Sequence, residues 1–94
     1  MLDDRRVETR LPAEGSVTLR LFGAVPTSIP GHLVDTASTG FRACHGARTL
    51  VTGQIVEFDY EGSHGRARVA WTRILGEEVE SGFLILTRSK ADDT

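Results

Sequence analysis

The chain has 94 residues, a formal net charge of −2 and a hydrophobic content of 39%. A chain of this length forms one domain with a single modest core, and a slightly acidic balance argues against general affinity for DNA or RNA, which requires a basic surface. The longest apolar run, residues 83–86, is too short to cross a bilayer, and no apolar segment near the N-terminus is typical of a secretory signal peptide. The single cysteine, Cys44, suits a reducing compartment. We therefore expect a cytoplasmic domain that does not insert into a membrane.

The N-terminal segment DDRRVETR, residues 3–10, is highly charged and precedes the first apolar alternation. It carries Arg5, Arg6 and Arg10 in a chain that has more acidic than basic residues. Chain termini are commonly solvated and tolerate charge, so one interpretation is a solvated tail. The other is a flexible arm that closes over an anionic ligand, and only motifs elsewhere in the chain can favour it.

An apolar residue at every second position predicts half-buried strands along most of the chain. In residues 16–22, for example, Val17, Leu19 and Leu21 share one face and Thr18 lies on the other. The inward residues predicted for the later strands are Phe41 and Ala43; Val56, Phe58 and Tyr60; Ala67, Val69 and Trp71; and Phe83 and Ile85. A further short strand precedes Asp35, which gives six strands in total.

Glycine and proline residues separate these strands and predict tight turns. They include Pro26, Pro30-Gly31 and Gly40, and residues 61–65 are expected to form a hairpin loop. Gly82, inside the last strand, indicates a bulge or a close backbone approach. The pattern predicts an all-β fold, a small six-stranded antiparallel β-barrel. We place one domain over residues 1–94: a flexible N-terminal arm (1–13), the barrel (14–87) and a polar tail (88–94) with at most a short C-terminal helical stub.

Sequence signatures of enzymes and metal centres are missing: there is no phosphate-binding glycine loop, no nucleophile elbow and no paired-histidine zinc motif. Adjacent residues of a strand point to opposite faces, so Cys44 and His45 are not expected to act on one atom. We expect a small buried thiol beside an exposed imidazole. The acidic residues Glu77, Glu78 and Glu80 are expected to form a solvated turn. We therefore predict that the chain is not an enzyme and holds neither a metal nor a cofactor.

Two short motifs stand out from this background. Arg6 and Arg10 form an R-x-x-x-R pair, and residues 35–40 have the sequence DTASTG. In this order, ahead of a small β-barrel, they resemble the PilZ domain. That family binds the bacterial second messenger cyclic di-GMP through an RxxxR loop before the first strand and a (D/N)xSxxG motif around the second and third strands. The segment VAW at 69–71 and the pair Gly82-Phe83 fit the same pattern, so the resemblance covers almost the whole chain.

The resemblance implies a ligand site for cyclic di-GMP. Its residues would be Arg5, Arg6, Arg10, Asp35, Ala37 and Gly40, with Ser38 and Arg42 as an extension. A guanidinium binds phosphate oxygens in pairs or the O6 and N7 edge of guanine, whereas the Asp35 carboxylate can accept hydrogen bonds from guanine N1 and N2. Gly40 would allow a close backbone approach or an unusual dihedral angle. Ala37 stands where the family has serine, and a lost hydroxyl contact weakens affinity by about 0.5 to 1.5 kcal/mol.

The expected function is a non-enzymatic cyclic di-GMP receptor or adaptor domain in bacterial signalling. By family analogy it reports to motility, exopolysaccharide or secretion machinery through an effector protein that the sequence does not identify. One alternative is a degenerate PilZ barrel that binds a protein and no nucleotide. Another is an unrelated barrel for single-stranded nucleic acid, which needs exposed stacking aromatics. The outward arginines Arg42, Arg66 and Arg68 either extend the site or are solvated, and solvation is the favoured interpretation.

Overall fold

The structure, a computed structural model, describes residues 11–90, which contain seven β-strands and no helix. The strands are β1 (Leu11–Pro12), β2 (Ser16–Leu21), β3 (Thr27–Ala37), β4 (Gly40–His45), β5 (Ile55–Tyr60), β6 (Ser63–Leu75) and β7 (Glu78–Lys90). Neighbouring strands follow the order β1-β3-β2-β5-β6-β7-β4, and a further pairing of β3 with β4 closes the sheet. The predicted six-stranded antiparallel barrel is therefore confirmed, with the two-residue β1 added beside β3. Within residues 11–90 no helix could span a membrane.

The barrel interior is filled by the residues that the period-two alternation places on one face. On β5, Val56, Phe58 and Tyr60 are buried, while Asp59 between them is exposed. Phe41 of β4 lies at the centre of this core. Its ring centroid is 5.2 Å from that of Phe58, 5.1 Å from that of Tyr60 and 4.7 Å from that of Phe83. Burial of these aromatic side chains removes apolar surface from water and thereby stabilises the barrel.

The turn between β5 and β6 is tighter than the predicted loop. Glu61 and Gly62 have positive φ angles of 49° and 79°, and Tyr60 pairs directly with Ser63. Two consecutive residues with positive φ form the type I′ turn, whose twist matches that of the flanking strands. Strand β6 therefore begins inside the segment that was expected to be a loop.

Three bulges change the face to which later side chains point. The pairing of β3 with β4 shifts between Leu33 and Asp35, and that of β6 with β7 shifts between Arg66 and Ala67 and again between Val69 and Trp71. An extra residue in one strand reverses the alternation that follows it. The prediction that Trp71 packs in the core is therefore wrong, because the side chain lies on the outer face and is 36% exposed.

The Trp71 ring covers Gly82 of the neighbouring strand. A Cβ atom at Gly82 would lie 2.3 Å from the indole Nε1 of Trp71, so a side chain at this position would force the indole to move. The close approach predicted for Gly82 is confirmed, and its cause is the outward-facing indole.

The ends of several strands differ from the sequence pattern. Pro30 and Gly31 were expected to form a turn but lie inside β3. Pro30 precedes the stretch of β3 that pairs with β4, and proline is tolerated in a strand where one side lacks a partner. Strand β1 occupies the end of the predicted arm, and β7 continues past residue 87 to Lys90. Residues 87–90 have no apolar side chains, and their backbone pairing with β6 is what extends β7.

Candidate functional site

The DTASTG segment forms the tip of the β3–β4 hairpin. Ala37 ends β3, Ser38 and Thr39 form the turn, and Gly40 begins β4 opposite Ala37. A Cβ atom at Gly40 would lie 2.2 Å from the carbonyl oxygen of Phe83 in β7. The predicted close approach at Gly40 is therefore an approach to the barrel's own backbone.

The chain enters the barrel beside this hairpin. Leu11 pairs with Thr36 and Pro12 with Asp35, and the backbone of Ala13 donates a hydrogen bond to the carbonyl of Val34 over 3.1 Å. Leu11, the first residue that the structure describes, therefore lies beside the DTASTG motif. Of the predicted site residues, Arg5, Arg6 and Arg10 lie outside the described range 11–90.

Asp35 is a buried carboxylate bound by an arginine of the neighbouring strand. Asp35 is 5% exposed. Arg42 of β4, directly opposite, donates from Nε to Asp35 Oδ2 over 2.8 Å, and its Nη2 contacts the same oxygen. This hydrogen bond raises the pKa of Arg42, so the two groups form a charged pair. Solvation was the favoured interpretation for Arg42 and is wrong, whereas Arg66 and Arg68 are exposed as expected.

The ion pair continues across the outer face of the barrel. Arg42 Nη1 lies 3.8 Å from Oε2 of Glu80 in β7. Oε1 of Glu80 accepts hydrogen bonds from Arg73 of β6, over 3.1 Å from Nε and 2.9 Å from Nη2. Glu80 is 5% exposed, so the prediction of a solvated turn is wrong for this residue. We call Asp35, Arg42, Glu80 and Arg73 the charged row.

The charged row ends at the exposed tryptophan. The Arg73 guanidinium lies 5.8 Å from the centre of the Trp71 ring, within the range of a cation–π contact. The two carboxylates of the row are buried and already accept from Arg42 and Arg73, so its exposed parts are the guanidinium groups and the Trp71 ring. Such a face can attract anionic oxygens, and a carboxylate becomes available to an N–H donor of a ligand when its arginine moves.

His45 is the polar group of the barrel interior. It is 3% exposed, which contradicts the expectation of a buried thiol beside an exposed imidazole, because the alternation of Phe41 and Ala43 continues to His45. The backbone N–H of Ala47 donates to Nδ1 over 3.0 Å. Nε2 therefore carries the proton and donates to the Ser81 hydroxyl over 2.8 Å. Both ring nitrogens are satisfied in the neutral form.

The stability of the barrel is expected to depend on pH through His45. Burial lowers the pKa of His45 below its usual 6.5, so the unfolded chain binds this proton more readily than the folded protein does. The stabilisation that neutral His45 contributes is complete at a pH above its pKa in the unfolded chain. It is lost as the pH falls from about 6.5 toward the lower pKa of His45 in the folded protein. In urea denaturation we expect a smaller free energy of unfolding at about pH 5.5 than at about pH 7.5.

His45→Asn is the informative variant for this pH dependence, since its amide oxygen can still accept the Ala47 N–H. In His45→Asn the free energy of unfolding should change less with pH than in the wild type. His64→Gln, at an exposed position, should show the same change with pH as the wild type. An undiminished slope in His45→Asn would assign the pH dependence to another group.

A concave region lies away from the hairpin tip. This cleft of about 430 Å³ is bordered by His32, Cys44, His45 and Glu78 among others. Burial and the nearby Glu80 raise the pKa of the Cys44 thiol, which disfavours the nucleophilic thiolate. Among residues 11–90 no group of three metal-binding side chains is assembled. The cleft therefore has neither a reactive thiolate nor a metal-binding cluster among the described residues, and the charged row is the better candidate for a ligand site.

Comparison of the whole chain with protein-family models finds no match, and neither does comparison with curated proteins. The case for a function therefore depends on the motifs and on the geometry around Asp35.

Proposed function

We propose that this chain is a PilZ-like receptor domain that binds cyclic di-GMP at the β3–β4 hairpin. The observation that carries the proposal is the position of β1. Leu11 and Pro12 pair with Thr36 and Asp35, so the segment that contains the R-x-x-x-R pair is joined to the barrel beside the motif carboxylate. Arginines within a few residues of this junction are close enough along the chain to reach a ligand held by Asp35.

The chemistry of Asp35 and its surroundings supports a guanine ligand. A carboxylate accepts two parallel hydrogen bonds, which matches the N1–H and N2–H donors of guanine. Arg42 directs Nε and Nη2 to Asp35 and Nη1 toward Glu80, so it would give up one of these contacts to reach a phosphate or the O6 and N7 edge of guanine. Together with Arg6 and Arg10, this gives cations for both phosphates of a cyclic dinucleotide and an acceptor for a base.

Ligand binding at this site has two costs. The nucleotide must share Asp35 with Arg42, which already binds Oδ2, and ordering backbone costs about 1 to 2 kcal/mol per residue fixed. Several charge-assisted contacts of about 1.5 to 3 kcal/mol each can offset these costs. Ala37 supplies no hydroxyl. We therefore expect affinity in the micromolar range, and we expect it to depend on the arginines.

Titration calorimetry of the full chain with cyclic di-GMP tests the proposal. Arg10→Ala should weaken binding at least tenfold, which corresponds to about 1.4 kcal/mol, because a bidentate contact with the ligand is lost. Arg48→Ala is the matched control. Arg48 is an exposed arginine whose side chain donates to the carbonyl of Gly76, outside the motif, and its removal should leave the affinity unchanged.

Absence of heat with the wild-type protein would overturn the proposal and favour a barrel that binds a protein without a nucleotide. Equal loss of affinity in Arg10→Ala and Arg48→Ala would reveal general attraction of an anion instead of a site. Binding that survives in Arg10→Ala would place the ligand elsewhere on the molecule.

A further inference from the structure

Part of β6, in its long hairpin with β7, has no partner strand on one side among residues 11–90. Strand β5 and the residues before it cover β6 as far as Val69. From Trp71 to Leu75, β6 pairs with β7 on one side, and within residues 11–90 no strand lies on the other. We call residues 70–75 the free edge. Backbone N–H and C=O groups along such an edge can pair with another strand.

The free edge has little of the protection that proteins normally give to exposed strands. Lysine, proline, bulges and very short strands are the usual devices. Residues 70–75 contain neither lysine nor proline, and their one such device is the bulge at Ala70, at the start of the free edge. Apolar side chains are exposed instead, 36% for Trp71, 55% for Ile74 and 46% for Leu75. The one charged side chain, Arg73, is bound by the buried Glu80, so its charge is offset within the chain.

We propose that the free edge pairs antiparallel with the free edge of a second copy of this chain. A twofold axis through Thr72 places the two Thr72 residues opposite each other and Trp71 of each copy opposite Arg73 of the other. Within one chain these two side chains already meet at 5.8 Å, a distance at which a cation attracts an aromatic ring. In the symmetric register each Arg73 would also face Trp71 of the other copy, which would add two cation–π contacts across the interface. A twofold contact of this kind is closed, so it forms a dimer and not a fibre.

The choice of a second copy over an unrelated strand follows from the sequence of the edge. In the register centred on Thr72, the opposed pairs are tryptophan with arginine, threonine with threonine, and Ala70 with Ile74. None of these pairs opposes like charges, and aromatic, β-branched and threonine pairs stabilise antiparallel strands. A register centred on Arg73 would oppose two guanidinium groups and is disfavoured. Registers centred on Trp71 or Ile74 also avoid opposed charges, but of the symmetric registers only the one centred on Thr72 places Trp71 opposite Arg73.

The contact is small, because only about one short strand from each copy takes part. Interfaces at the low end of the size range are transient, so we expect a dissociation constant of about 10 to 100 µM. Trp71 and Arg73 of the free edge lie at the end of the charged row, but not at the β3–β4 hairpin where we propose that cyclic di-GMP binds. Dimer formation therefore does not require cyclic di-GMP, and the proposed function and this inference can fail independently.

Sedimentation velocity of the full chain without nucleotide, from about 5 to 500 µM, measures the association. The wild type should shift from monomer to dimer across this range. Ile74→Lys, which adds a charge to the free edge, should weaken the dimer at least tenfold. Val51→Lys is the matched control, since Val51 is 59% exposed against 55% for Ile74 and lies outside the strands; it should associate like the wild type.

Hydrogen exchange locates the contact in the same samples. Amides of residues 70–75 should exchange more slowly at high than at low protein concentration in the wild type, and equally fast at both concentrations in Ile74→Lys. A wild type that stays monomeric at 500 µM overturns the inference, and so does a dimer in which exchange at 70–75 does not change. Circular dichroism of Ile74→Lys confirms that the variant is folded.

Discussion

Replacement of Gly40 by alanine is expected to lower the free energy of unfolding by about 3 kcal/mol, because the new methyl group meets backbone on the neighbouring strand. A Cβ atom at this position lies 2.2 Å from the carbonyl oxygen of Phe83. The two strands must separate, which strains the pairing of Gly40 with Leu84. In a domain of this size the loss lowers the melting temperature by roughly 12 to 24 °C, measurable by thermal unfolding without ligand.

Gly46→Ala is the matched control for Gly40→Ala. No atom lies within 4 Å of a Cβ built at Gly46, and its φ is not in the positive region, so the stability should change by less than about 0.5 kcal/mol. Wild-type stability in Gly40→Ala would mean that the glycine is required only for contact with a ligand. The expected result would show that the glycine of the DTASTG motif is fixed by the barrel before any ligand arrives.

The regular parts of the barrel follow from local pattern, and the sequence predicts them well. On β5, apolar residues alternate with Glu57 and Asp59, and the alternation alone identifies Val56 and Phe58 as core. A half-buried strand needs only this period of two. Because each prediction depends on a few neighbouring residues, distant pairing cannot disturb it.

The bulge at Ala70 marks where this local pattern stops being sufficient. Residues 66–72 alternate without interruption, so nothing in their sequence indicates that Ala70 is an extra residue and that Trp71 turns outward. The evidence lies in the opposite strand, where Gly82 makes room for the indole. Gly82 was recognised as unusual, but linking it to Trp71 requires the register of β6 and β7, which is a long-range property.

The site was only partly predictable for the same reason. The DTASTG motif identifies Asp35, and its outward neighbour Arg42 could be named as an extension. Glu80 and Arg73 were missed because they join Arg42 across β7 and β6, far along the chain. One feature of the sequence could have indicated Glu80: in the predicted last strand it lies two residues before Gly82, on the outward face. His45 was misjudged because general burial preferences were weighed above the alternation of its own strand.

Asp35→Asn is expected to remove most of the cyclic di-GMP affinity and to leave the barrel folded. In the proposed complex the guanine edge donates two hydrogen bonds to the carboxylate. Asparagine replaces one acceptor by an NH₂ donor, so one contact is lost and two donors face each other. A hydrogen bond to a charged group contributes about 1.5 to 3 kcal/mol, which corresponds to roughly 10- to 150-fold weaker binding by calorimetry.

Folding should tolerate this change, because asparagine has the same shape and its amide oxygen can still accept from Arg42 Nε. Asp59→Asn, at an exposed carboxylate of β5, controls for the loss of one negative charge and should bind as the wild type does. Melting curves of both variants separate lost affinity from lost structure. If Asp35→Asn bound the nucleotide as tightly as the wild type, Asp35 would be only the structural partner of Arg42. The β3–β4 hairpin would then lack the acceptor on which guanine recognition depends.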